Sequence, residues 1–175
     1  MAEVEIHTGH APSADAFGQR VGIMVGVIGI LLSTVTILGH REHTAAVVHK
    51  TEANDQWAYY QAKKIRQHNA EIGAGLLNAL AADPARAAAF GAKLTQDSER
   101  YGKEAEDISA IAQQRDEESK HAERRALRFD VAEGFLELGL VMSSLYFLSR
   151  KRFFVAFGGI GAIVGTLLGI AGWVS

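Results

Sequence analysis

The sequence contains no cysteine, and only 2 of its 175 residues are proline. The absence of cysteine excludes disulfide scaffolds, thiol catalysis and cysteine-ligated zinc or iron–sulfur centres. So little proline leaves long helices uninterrupted, because proline removes a backbone donor and clashes with the preceding turn. The chain also lacks an excess of either charge, with 18 basic and 20 acidic residues, and we therefore expect no nucleic-acid partner.

Catalytic motifs are missing as well. The sequence has no HExxH, no GxSxG, no Gly-rich phosphate loop and no spacing typical of a Ser-His-Asp triad. We therefore expect a non-enzymatic protein that needs no cofactor.

Three apolar stretches predict membrane spans. Residues 21–39 carry no formal charge, which at 1.5 Å per residue is about enough to cross a hydrocarbon core of roughly 30 Å. We place the first span at 20–39, after a flexible tail at 1–19 whose acidic character is unlike a cleaved signal peptide. The second span is predicted at 131–148. The third, at 153–174, is uncharged and ends beside Trp173, a residue favoured at membrane interfaces.

The segment between the first two spans predicts a long helical hairpin. Residues 40–130 hold 14 Lys/Arg and 15 Asp/Glu and are rich in alanine, glutamine and glutamate, a composition that favours helix. Asp83-Pro84 marks a turn at 82–84, since Pro suits the first turn of a helix that Asp caps. The expected fold class is an all-α membrane protein with three transmembrane helices and a long antiparallel, coiled-coil-like hairpin. A short basic loop at 149–152 joins spans two and three.

Both arms of this hairpin carry heptad patterns that predict thin packing seams. In the second arm one core position reads Ala87, Leu94, Tyr101, Ile108, Arg115, Ala122 and Phe129, and the other includes Phe90, Glu104 and Ile111. In the first arm the pattern reads Val48, Ala58, Ala62, Ile65, Ile72, Leu76 and Ala79, with Thr51, Asp55 and Asn69 as polar interruptions. Such seams bury little surface, so we expect neighbouring subunits or a partner protein to supply the rest.

Glycines at four-residue intervals form a ridge in the first and third spans. These ridges are Gly18, Gly22 and Gly26, and Gly161, Gly165 and Gly169. Small residues let membrane helices approach closely, so both ridges predict tight packing, either within one subunit or between subunits.

Several polar residues near the spans allow two structural interpretations each. Glu133 and Glu137 share a helix face and could line an ion path, or they lie at headgroup level beside Arg124, Arg125 and Arg128. These arginines either hold anionic lipid headgroups or belong to a solvated face. His40 and His43 are weak metal candidates, and interfacial histidines are the alternative, so no metal site is assigned.

An aromatic string stands out in the first arm, where Trp57, Tyr59 and Tyr60 fall within four residues. The string NDQWAYYQAKKI resembles the signature of a bacterial family of uncharacterised membrane proteins, the domain of unknown function numbered 4337. The resemblance covers roughly residues 20–174 and implies the same layout of spans and hairpin, without an activity. The aromatic residues are either a helix–helix anchor or a docking patch for a partner or ligand.

The basic loop gives the orientation, because charge counts are most reliable over short connections. With Arg150, Lys151 and Arg152 inside, the N-terminus is cytoplasmic and the hairpin periplasmic, in a bacterial inner membrane. We predict a multi-pass scaffold, spacer or accessory subunit that contacts membrane lipids and forms a homo-oligomer or joins a larger membrane complex. The alternatives are an ion-conducting or proton-linked oligomer that uses Glu133 and Glu137, and a metal- or ligand-sensing module.

Overall fold

The computed structural model describes residues 15–80 and 82–174, and over these ranges it contains three α-helices. Helix α1 spans Ala16–Leu80, α2 spans Pro84–Ser149 and α3 spans Arg152–Val174. Each is long and apolar enough to cross a membrane, which confirms the prediction of an all-helical protein with three possible spans. Of the predicted tail, residues 1–14 lie outside the described part of the chain, and α1 begins at Ala16.

Side chains just outside the helices explain where two of them begin. Asp15 accepts a hydrogen bond from the Gly18 backbone amide at 2.9 Å, and this bond is the main reason why the pKa of Asp15 lies below its usual value. Asp83 caps α2 in the same way, accepting from the amides of Ala85 and Arg86 at 3.1 and 3.3 Å. Pro84 occupies the first helical position, where it has no amide to leave unpaired.

The chain divides into two compact units, to which α1 and α2 both contribute. Within the described residues, we call 15–40 and 125–174 the membrane unit, and 41–80 and 82–124 the hairpin unit. The core of the membrane unit combines two side chains of α1, Ile28 and Val35, with three of α2, Phe129, Ala132 and Leu136. This unit therefore has a continuous apolar centre on which α3 can pack.

Helix α3 packs on α2 through glycines that admit no side chain. A Cβ atom at Gly158 would lie 2.7 Å from the Gly139 carbonyl oxygen, and one at Gly165 would lie 2.8 Å from the Ala132 carbonyl oxygen. At such distances the two backbones are in direct contact. The ridge of the third span thus packs tightly within the subunit.

The hairpin unit holds two helical segments that run antiparallel. Ser119 donates to the Ala46 carbonyl oxygen at 2.9 Å, whereas Ser98 donates to Glu71 at 3.0 Å, so the partner number falls as the first number rises. Small residues line the α2 side of this contact at every seventh position, and all are buried: Gly91, Ser98, Ala105, Ala112 and Ser119. Their size lets the helices approach closely enough for a serine hydroxyl to reach a backbone carbonyl on the other segment.

This small-residue row corrects one of the predicted core positions of the second arm. The first position is right, because its members from Ala87 to Ala122 are buried or half-buried. The second is right only in part, because Glu104 is half-buried and pairs with Lys63 of the other arm, whereas Phe90 and Ile111 are 54% and 46% exposed. Close packing selects alanine, serine and glycine there, so the larger apolar residues lie outside.

Candidate interaction surface

The predicted seam of the first arm faces away from the second arm. Its ten positions, which we call the outer row, are all exposed: Val48, Thr51, Asp55, Ala58, Ala62, Ile65, Asn69, Ile72, Leu76 and Ala79. Ile65 is 62% exposed and Leu76 55%. The prediction that this row packs inside the hairpin is therefore wrong, and among the described residues of the hairpin unit no other element covers this face.

The α1 residues that do face α2 follow a second heptad, which sequence reasoning missed. They are mostly small or polar, half-buried or buried, and include Ala46, His49, Ala53, Tyr60, Lys63, Gln67 and Ala70. Because polar side chains occupy this inner row, contacts between the arms depend on ion pairs and hydrogen bonds as well as on close packing. The missing signal was charge complementarity between the arms, which becomes visible only once the pairing register is known.

Lys63 is the most enclosed charge of the inner row. Its side chain is 12% exposed, and its ammonium forms an ion pair with Glu104 at 2.5 Å. The rings of Tyr59 and Tyr101 flank it, with centroids 5.3 and 5.5 Å from Nζ, so the charge also has cation–π contacts. The hydrogen bond to Glu104 raises the pKa of Lys63 and lowers that of Glu104.

Trp57, a member of the predicted aromatic patch, connects the two arms of the hairpin by a hydrogen bond. Its indole N–H donates to Asp116 at 3.1 Å, and its ring meets Tyr60 edge to face at a centroid distance of 5.6 Å. Lys50 also bonds Asp116, at 2.7 Å, and the bonds from Lys50 and then Trp57 hold the pKa of Asp116 below its usual value. Trp57 thus makes a contact between the helices, as expected of a helix–helix anchor, one of the two roles that the sequence left open, and Tyr60 packs beside it on the same helix. Tyr59 is 53% exposed.

A second polar cluster lies further along the same face. Arg115 contacts Glu52 at 3.3 Å and Glu118 at 2.8 Å. His49 Nδ1 lies 3.4 Å from Glu118. The arginine at a predicted core position is therefore neutralised by carboxylates of both arms, which explains how it occupies that position.

The two glycine ridges differ in their surroundings. A Cβ atom at Gly161 would approach the Phe135 carbonyl oxygen at 3.2 Å, whereas one at Gly26 would meet nothing within 4 Å. At Gly22 the nearest atom is 4.0 Å away, on the Phe147 ring, and Gly18 faces the capping Asp15. The ridge of the first span therefore offers an open face in the membrane unit, and packing between subunits stays a prediction for that face.

The two glutamates of the second span lie in different surroundings. Glu133 is half-buried and accepts a hydrogen bond from Thr36 of α1 at 2.7 Å. Glu137 is exposed. The Glu133 carboxylate therefore contacts a neighbouring helix, whereas the Glu137 carboxylate lies on the surface of the membrane unit.

The predicted histidines do not form a metal-binding cluster in the described part of the chain. In the described residues no group of three or more His, Cys, Asp or Glu side chains is arranged to hold a metal. His40 Nδ1 lies 3.0 Å from the Thr36 carbonyl oxygen, and His43 is exposed on the hairpin unit.

Arg125 donates to the Gly172 carbonyl oxygen at 3.3 Å, which satisfies a backbone group at the end of α3. Arg124 and Arg128 are exposed, and headgroup binding by them stays a prediction. The membrane unit also has two apolar grooves between α1 and α3, with volumes of about 290 and 370 Å³.

Comparison with known proteins identifies a family. No curated protein and no solved structure matches the chain. The family model described as Domain of unknown function (DUF4337) matches residues 17–175, which include all three candidate spans and the hairpin unit. The chain therefore belongs to the DUF4337 family.

Proposed function

We propose that this protein is a non-enzymatic scaffold, spacer or accessory subunit of a membrane, which self-assembles or docks on a larger membrane complex. The observation that carries the proposal is the exposed outer row. From Ala58 to Ala79 its seven positions bear no formal charge, although charged residues are frequent in the rest of the hairpin. A soluble helix normally buries such a row, so an uncovered one favours a protein partner.

Two further features support assembly over catalysis. The open glycines of the first span can admit a second helix closely, which is the usual basis of association in lipid. The ion pairs between the two arms, Lys50–Asp116, Lys63–Glu104 and Glu52–Arg115, hold the hairpin unit together, so these charges have structural partners. We place the protein in a bacterial inner membrane, with the N-terminus cytoplasmic and the hairpin periplasmic, from the basic loop at 149–152.

Amine-reactive crosslinking in intact membranes, followed by mass spectrometry, tests the proposal. The wild-type chain should crosslink to further copies or to a membrane complex. Ile65→Glu places a charge in the outer row and should reduce these crosslinks at least about fivefold, because burying an unpaired carboxylate is costly.

Ala110→Glu is the matched control, since Ala110 is exposed on the other arm and outside both α2 core positions. This variant should crosslink like the wild type. If Ile65→Glu also kept the wild-type crosslinks, the outer row would have no partner and the proposal would lose its main support.

A further inference from the structure

The outer row keeps a regular heptad over a long stretch of α1. Between Ala58 and Ala79 the positions alternate in steps of four and three residues, which is the spacing of a two-stranded coiled coil. Ala62, Asn69 and Leu76 fall at one core position. The other position holds Ala58, Ile65, Ile72 and Ala79. Since α2 packs on a different face of the helix, this row is free to form a second seam.

We propose that two copies of this chain pair through the outer row from residue 58 to residue 79, in parallel and in register. This inference rests on the proposed function, because it names the partner and the geometry of self-assembly. The occupant of the exposed row is the same row of a second copy.

Chain connectivity sets the direction of the pairing. The hairpin unit begins at residue 41, two residues after the apolar run at 21–39 ends, so the hairpins of two copies inserted in one membrane with the same topology start at the same membrane face. Their α1 segments therefore run in the same direction from equivalent starting points. A parallel pair in register brings each outer-row residue opposite its own counterpart.

Asn69 makes the row complementary to itself. It is the only polar residue of the row between Ala58 and Ala79, and it occupies the same core position as Ala62 and Leu76. An amide side chain offers both a donor and an acceptor, so two facing asparagines can satisfy each other. A single asparagine at this core position fixes register and oligomer state in parallel dimers, at some cost in stability.

Asp55 sets the lower limit of the seam. It is the next core residue toward the N-terminus, and it is exposed. Two aspartates facing each other would repel, so the paired stretch begins at Ala58.

The area of this seam is small, which explains why we expect pairing only of chains held in one membrane. Its 22 residues extend about 33 Å. With a contact strip about 10 Å wide on each helix, two copies would bury roughly 700 Å² in total. Stable interfaces between free proteins bury about 1,200 Å² or more. Confinement in one membrane raises the effective concentration of the copies and compensates for the smaller area.

Disulfide mapping in membranes tests the inference, and the cysteine-free chain suits it. Full-length Ile65→Cys and Ile72→Cys are oxidised separately with copper phenanthroline. Facing residues of a parallel pair come close enough for a disulfide, which requires Cα atoms within about 7 Å. Both variants should form disulfide-linked dimers. Lys64→Cys, next in sequence but outside the outer row, should form at least about tenfold fewer.

Asn69→Asp in the Ile65→Cys background supplies a second readout. It keeps the size of the side chain but places two carboxylates opposite each other, so dimer yield at pH 7 should fall about tenfold. An unchanged yield would overturn the pairing at this position.

Two other results would overturn the inference while the proposed function stands. One is a protein of higher mass in which neither Ile65→Cys nor Ile72→Cys forms a dimer. The other is a disulfide that forms only when the Ile65→Cys and Ile72→Cys chains are co-expressed and that joins residue 65 of one copy to residue 72 of the other, which indicates antiparallel pairing. A chain that stays single in mass as well would refute the self-assembly of the proposed function.

Discussion

Gly165→Ala tests whether direct backbone contact holds α3 on α2. A Cβ atom at residue 165 would lie 2.8 Å from the Ala132 carbonyl oxygen and 3.0 Å from the Leu136 amide nitrogen. Ordinary contacts of a Cβ atom begin near 3.4 Å. Because a backbone atom cannot rotate away as a side chain can, the two helices must move apart by on the order of 0.5 Å. The contacts along the whole ridge then weaken together.

The size of the effect follows from the cost of overpacking. Inserting a methylene into a packed core costs about 1–3 kcal/mol of unfolding free energy. Two of the three nearest atoms belong to the backbone, and the third is the branched Leu136 Cγ at 2.8 Å, so we expect the upper part of that range, about 2–3 kcal/mol. For a chain of this size each kcal/mol shifts Tm by about 2–4 °C. Gly165→Ala should therefore lower Tm by roughly 4 to 12 °C.

Gly159→Ala is the matched control, since a Cβ atom at that residue would meet nothing within 4 Å. Both variants gain the higher helix propensity of alanine, so the difference between them isolates the contact. Thermal unfolding in detergent, followed by circular dichroism, gives both Tm values. Equal Tm values for the two variants would refute the claim that α3 is in backbone contact with α2.

Three further predictions concern the hairpin unit and the second span. Trp57→Ala should destabilise the protein by about 1 kcal/mol or more, because it removes the hydrogen bond to Asp116 of the other arm as well as the ring contact with Tyr60 of the same helix, whereas Trp57→Phe keeps a ring and should lose less. Chemical denaturation measures both, and a wild-type stability of Trp57→Ala would contradict the anchor role. The pKa values of Glu104 and Asp116 lie below their usual values in the folded protein, so these carboxylates stabilise the fold at neutral pH, and this stability is lost as the pH falls below about 4. A series of Tm measurements at decreasing pH checks this. A Tm that rose on acidification would contradict it. Vesicles reconstituted with the protein should show little cation flux, because Glu133 accepts a hydrogen bond from Thr36 of a neighbouring helix and Glu137 is exposed on the surface of the membrane unit. A robust flux abolished by Glu133→Gln or Glu137→Gln would favour the ion-conducting alternative instead.

Helix number, approximate bounds and the turn were predictable because their signals are local. An uncharged run such as residues 21–39 identifies a span through composition alone, and Asp83-Pro84 fixes the start of α2 through capping and a fixed φ. None of these signals depends on what the helix packs against.

The packing faces were harder to predict, because each arm carries two rows at heptad spacing. On α1 the more apolar row, with Ile65 and Ile72, is exposed, while the inner row contains Lys63 and Ala53. Choosing the apolar row assumes that hydrophobic burial decides the contact. Here close approach of small residues and paired charges decide it, and both depend on the partner helix.

The aromatic string was identified by composition, but its contacts were not. The sequence left open whether Trp57 packs between helices or docks a partner, and Trp57 is half-buried with a hydrogen bond to Asp116, a residue 59 positions away. Nothing near Trp57 in the sequence indicates this partner. Only the register between the arms brings the two residues together.

The mass of the protein, taken from its own membrane into nanodiscs without prior detergent, tests self-assembly or docking most directly. Native mass spectrometry of these particles separates one chain of 18.9 kDa from an assembly. We predict an integral multiple of that mass, or a larger complex that contains the chain. A single chain of 18.9 kDa at the protein density of the native membrane would contradict the proposal.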